Sequence, residues 1–81
     1  MKVIKYGATW CNPCVLQGER LKEVGLFYTE IDVDEDSKAF EEKHVREIPY
    51  LEFYDDNDKL LETHSGLMTV EELKEIEKKY A

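Results

Sequence analysis

Two cysteines sit within Trp10-Cys11-Asn12-Pro13-Cys14, where a strand-like run ends and a helical run begins. Lys2-Val3-Ile4-Lys5-Tyr6 precedes them as a candidate strand, and Val15 to Val24 follows as a candidate helix. A strand that feeds Cys-x-x-Cys at a helix start points to a redox dithiol. At this spacing on a helix, Cys11 and Cys14 share one face and can close a disulfide after modest adjustment. Cys11 falls at the helix N-terminus, where unpaired backbone N–H groups and the helix dipole favour a thiolate. Pro13 suits the first turn, because its missing N–H has no intrahelical partner there. The stretch reads as one reactive thiol with a second held in reserve.

The rest of the 81-residue chain is enough for one domain, over residues 1–81, with a modest core. Charged residues make up 37% and the net charge is −8, which argues against nonspecific binding to nucleic acid or to anionic membranes. No apolar run approaches a membrane span, and the N-terminus lacks the apolar core of a signal peptide. The expected location is the cytoplasm. In a reducing compartment, two cysteines are catalytic or metal-binding rather than a permanent staple. Zinc is the competing chemistry. It needs two further ligands, and the nitrogen candidates His44 and His64 stand at no finger-like spacing, so no metal is expected.

Met1 to Tyr6 is apolar on both faces except at Lys5, as in a central, covered strand. The first helix is expected from Asn12 to Val24, with Gly25 as a left-handed cap and Cys14, Gly18, Leu21 and Val24 facing inward. Gly18 lowers helix propensity, so it marks a close approach or a bend. Phe27 to Val33 alternates as a second strand, parallel to the first through a right-handed crossover. Acids from Asp34 to Asp36 suit the start of a short helix over Lys38 to His44, which would bury Ala39, Phe40 and Val45. Ile48-Pro49 opens a third strand, Tyr50 to Tyr54, and a turn over Asp55 to Lys59 returns it as an antiparallel strand from Leu60 to His64. After Gly66, Thr69 and Glu72 form a capping box, followed by Val70, Leu73, Ile76 and Tyr80 on one helical face. The order is βαβαββα, an α/β chain.

Trp10-Cys11-Asn12-Pro13-Cys14, Ile48-Pro49 before a strand and Gly66 before the last helix together resemble the thioredoxin family over nearly the whole chain. The chain looks like a small, glutaredoxin-sized thioredoxin without the N-terminal strand and helix. The resemblance implies a thioredoxin-like fold: a four-stranded mixed sheet in the order 2-1-3-4, strand four antiparallel, with three helices. Glutaredoxins typically carry a Gly-Gly pair followed by an Asp that holds glutathione. Here Ser65-Gly66-Leu67-Met68-Thr69 has one Gly and no acid until Glu71, which weighs against glutathione recognition.

The activity implied is protein-disulfide reduction. Cys11 is the nucleophile that forms a mixed disulfide, and Cys14 resolves it, so that the pair cycles through a Cys11–Cys14 disulfide. Pro49 resembles the family's cis-proline, although an ordinary strand-start proline fits the same position. Substrate would dock on Trp10, Pro13, Ile48, Pro49 and Gly66, with Leu67 and Met68 beside them, by strand addition along the Ile48 backbone. One departure matters. Six residues before the first cysteine, thioredoxins carry a buried Asp that moves the second cysteine's proton, and this chain has Lys5. The family's lysine partner on the neighbouring strand falls at Glu30. A charge-swapped Lys5–Glu30 pair beneath the dithiol would stabilise thiolate and accept the Cys14 proton. Alternatively, Lys5 snorkels to the surface and Glu30 is solvated. The resemblance further implies a monomer with no bound cofactor, re-reduced by a thioredoxin-reductase-type flavoprotein drawing on NADPH. Its clients would be disulfide-containing proteins such as a ribonucleotide reductase. A glutathione-dependent, glutaredoxin-like reductase and a non-enzymatic binding module on the same fold are the alternatives.

Overall fold

The computed structural model describes residues 1–44 and 46–81, with β1 (Lys2–Gly7) central in a four-stranded sheet. The elements after it are α1 (Asn12–Glu23), β2 (Tyr28–Asp32), α2 (Ser37–Glu41), β3 (Tyr50–Tyr54), β4 (Leu60–Ser65) and α3 (Val70–Lys79). The sheet order is β2-β1-β3-β4, the mixed order expected. β1 and β2 are parallel, β3 runs antiparallel to β1, and β4 runs antiparallel to β3.

Register divides the side chains of β1 between two faces. Val3 and Lys5 lie opposite Phe53 and Leu51, and Ile4 and Tyr6 lie opposite Glu52 and Tyr50. The first face packs with α1 and α3 into the main core of Val3, Leu21, Leu26, Leu51, Phe53, Met68, Leu73 and Ile76. Each large apolar side chain buried there contributes about 1.5–3 kcal/mol. The opposite face carries a ring cluster, with Phe40 of α2 against Tyr6 and Tyr50 at centroid distances of 5.9 and 6.5 Å.

Helix ends explain where the expected boundaries shift. Gly25 has φ +77°, and its N–H and that of Leu26 close onto the Lys22 and Leu21 carbonyls at 3.0 and 2.9 Å. This Schellman closure packs Leu26 against Leu21 in the core. Phe27 is then turned outward, 92% exposed, and β2 begins at Tyr28 rather than at Phe27. α2 starts one residue early, capped by Asp36, whose carboxylate accepts the Ala39 N–H at 3.2 Å. It ends at Glu41 instead of His44: Lys43 and His44 bond to carbonyls three residues back, and His44 takes φ +56°. Ala39 and Phe40 are half-buried rather than buried, and Val45 lies outside the described residues. The capping box of Thr69 and Glu72 forms, with bonds of 3.0 and 3.1 Å.

Candidate active site

Cys11 is the N-cap of α1 and Pro13 stands in its first turn. An N-cap side chain faces the unpaired N–H groups of the first turn, and here the cap is sulfur: the Cys14 N–H donates to Cys11 Sγ at 3.2 Å. Cys11 and Cys14 are joined as a disulfide with Cα atoms 5.2 Å apart. Cys11 is 6% exposed and Cys14 1%, so Cys11 is the less enclosed of the two. Ala8, Val33 and Ile48 pack around the pair and keep its surroundings apolar.

The distant residues named from sequence reach this site through the sheet. The Ile48–Pro49 peptide is cis. Ile48 packs on the dithiol cluster, and the buried Pro49 accepts the Gly66 N–H on its carbonyl at 2.8 Å. Gly66 has φ +91°, a left-handed backbone that glycine adopts without the strain a side chain would bring. Trp10 is 67% exposed beside Cys11, and its indole N–H donates to Asp34 Oδ2 at 2.7 Å. Leu67 is on the surface. Met68 is not: its side chain belongs to the main core, because Gln17 and Arg20 hold its backbone and turn the side chain inward. Met68 is therefore withdrawn from the expected docking surface.

Lys5 does not snorkel. Its side chain is 4% exposed, and Nζ donates to both Glu30 carboxylate oxygens at 2.7 Å, while Glu30 is 49% exposed. Parallel register places the two side by side on β1 and β2. The pair lies next to the second sulfur. A methyl on Gly7 would stand 3.3 Å from Cys14 Sγ and 3.4 Å from Glu30 Oε2, so sulfur and carboxylate flank one small gap. Lys5 and Glu30 also line a cleft of about 240 Å³ with Gly18, Glu19, Lys22 and Tyr28, an outlet to solvent. Gly18 is where α1 closes on Tyr28, whose hydroxyl lies 2.7 Å from the position of a Gly18 Cβ.

Three polar residues escaped the sequence reading. Gln17 is fully buried on α1 beneath the loop at Met68. Its signal was its place three residues after Cys14, on the inward face. Glu52 is buried on β3, where its carboxylate accepts from Tyr6 and Tyr54 and pairs with Lys43 at 3.1 Å. Strand alternation sets Glu52 on the face away from the main core, and α2 with the turn after it covers that face. Asp34 carried no signal beyond its acidic loop. Among the described residues, no group of three or more His, Cys, Asp or Glu is gathered as metal ligands.

Comparison with known proteins agrees with this geometry. The thioredoxin family model matches residues 1–79. A thioredoxin of Mycoplasmoides gallisepticum is 31% identical over 79 residues, covering 91% of this chain and 78% of that protein. Thioredoxin 3 of Plasmodium falciparum is 38% identical over 56 residues, covering 64% of this chain and 31% of that protein. The chain thus spans most of the first relative and under a third of the second. Among solved structures, the oxidised thioredoxin of Plasmodium falciparum superposes with TM-score 0.76 at 27% identity, over 99% of this chain and 80% of that one. A Trichomonas vaginalis thioredoxin gives 0.81 at 27% identity, over 99% and 78%. With the dithiol, the sheet order and the sequence match in agreement, the chain belongs to the thioredoxin family, and its Cys11–Cys14 pair is that of a thiol–disulfide oxidoreductase.

Proposed function

We propose that the protein reduces disulfides in client proteins. Cys11 thiolate attacks a client sulfur, forming a mixed disulfide and releasing one client thiol. Cys14 then loses its proton to Glu30 and attacks Cys11 Sγ. The second client thiol leaves as the Cys11–Cys14 bond forms, so the client gains two electrons and two protons. The observation that most supports this assignment is the Cys14 N–H bond to Cys11 Sγ, because a donor fixed there favours a thiolate on Cys11. Lys5 holds Glu30 beside Cys14, which suits Glu30 to take the proton that the resolving step must shed. Trp10, Pro13, Ile48, Pro49 and Gly66 form the docking face for an extended client segment. In this reading the protein acts in the cytoplasm as a monomer with no cofactor of its own. A thioredoxin-reductase-type flavoprotein returns electrons from NADPH, and a ribonucleotide reductase is one client.

The test is turnover of a disulfide-bonded protein such as insulin, with NADPH and thioredoxin reductase or with glutathione and its reductase. Turnover with the first system and its loss in Cys11→Ser are expected. Turnover with glutathione alone would favour the glutaredoxin-like alternative. No turnover with either defeats the reductase reading, and client capture that survives Cys11→Ser would point to a binding module.

A further inference from the structure

Gln17 is an amide in a place where an apolar side chain would do the packing. It is fully buried on α1, one turn after Cys14, against the loop that carries Gly66 and Leu67. A buried amide left without partners costs about 1–3 kcal/mol, so its bonds indicate what it is for. Gln17 Oε1 accepts the Met68 N–H at 2.7 Å, and its Nε2 faces the Met68 carbonyl at 3.4 Å. Arg20, three residues further along α1, donates to the same carbonyl at 2.8 Å. Both backbone polar groups of Met68 are thus held by the helix that carries the cysteines. Two residues earlier, Gly66 is held to Pro49 at 2.8 Å. Only Leu67 stands between these anchors, and its side chain is on the surface.

We infer that Gln17 is a positioning residue for client recognition: it sets the Gly66–Leu67 segment in register with the dithiol, and Arg20 reinforces it. The inference rests on the reductase reading above. It concerns docking of an extended protein segment, not chemistry at sulfur. A small disulfide that touches only Cys11 gains nothing from the loop, whereas a protein disulfide that spans the docking face does.

The experiment compares wild type, Gln17→Met and Arg20→Met on insulin and on a small aromatic disulfide, with thermal melts as a check on folding. Gln17→Met keeps length and apolar volume while removing the clamp. It is expected to raise KM for insulin about tenfold and to leave small-disulfide turnover within about twofold of wild type. Arg20→Met is expected to shift the insulin KM in the same direction by less, and it carries the test alone if Gln17→Met fails to fold. An equal fall for both substrates, or an unchanged insulin KM, overturns the inference. A wild-type protein active on the small disulfide but inert on insulin defeats the reductase reading instead, and this inference with it.

Discussion

Lys5 and Glu30 face each other in register across β1 and β2, yet the lysine is 4% exposed and the glutamate 49%. This asymmetry decides what each substitution does. A buried ammonium without a counter-charge is costly, while a half-solvated carboxylate without a partner is not. Glu30→Gln is expected to destabilise the fold by about 1–3 kcal/mol, since the buried ammonium keeps an oxygen acceptor but loses its counter-charge. Lys5→Met, similar in length, is expected to leave stability unchanged or improved, as replacement of buried charge by apolar volume often does. Urea midpoints compare the two, and equal losses would contradict the asymmetry.

The same pair governs the second chemical step if Glu30 receives the Cys14 proton. A positioned general base contributes about a hundredfold or more, so Glu30→Gln is expected to slow resolution of the mixed disulfide strongly while formation at Cys11 continues. Lys5→Met frees Glu30 to swing toward solvent and is expected to have a smaller effect on the same step. Rapid-mixing kinetics with a fluorescent client, together with thiol titrations of both variants, provide the check. Unchanged resolution rates and thiol titrations in both variants would sink this role.

What could be read from the sequence was what is local or fixed by register. The dithiol, Pro13 and the Thr69–Glu72 capping box are each defined by spacing within a few residues. The match of Lys5 with Glu30 comes from the resemblance to the thioredoxin family, and the parallel register of β1 with β2 sets the two side by side. Gln17 and Glu52 give no sign of burial in the sequence, and Met68 is expected on the docking surface, because the burial of all three depends on elements far away in the chain. Glu52 alternates correctly for an outward position, but Phe40 and Lys43 close over that face. Alternation alone places Phe27 in β2, because it does not reveal a Schellman closure that sends Leu26 inward.

Gly18 and Tyr28 are coupled by contact. Alanine in a helix is favoured over glycine by about 1 kcal/mol, yet a Gly18 methyl would lie 2.7 Å from the Tyr28 hydroxyl oxygen. Tyr28 packs on the core and its ring lies 5.5 Å from Lys5 Nζ, so it cannot give way freely. Gly18→Ala alone is expected to destabilise by about 1–2 kcal/mol. In a Tyr28→Phe background the obstructing oxygen is gone, and the same change is expected to stabilise by up to about 1 kcal/mol. A double-mutant cycle reads this reversal directly, and the same sign in both backgrounds would count against the contact.

Glu52 gathers three groups whose protonated forms are favoured by folding. Its hydrogen bond raises the Lys43 ammonium above the ordinary lysine range. Burial first, and the Glu52 charge second, raise the Tyr6 hydroxyl; burial and the bond to Glu52 do the same for Tyr54. A group whose folded pKa lies above its unfolded value contributes stability that is complete below the unfolded pKa and is lost as pH rises through the folded one. All three therefore act in one direction, with their contribution intact at neutral pH and declining above about pH 10. Glu52→Gln removes the charge but leaves the burial of the tyrosines, so the alkaline decline is expected to become shallower without disappearing. Denaturant midpoints from pH 8 to pH 11, on about unit steps, measure this. Coincident alkaline limbs for wild type and Glu52→Gln would show that the carboxylate does not hold those protons.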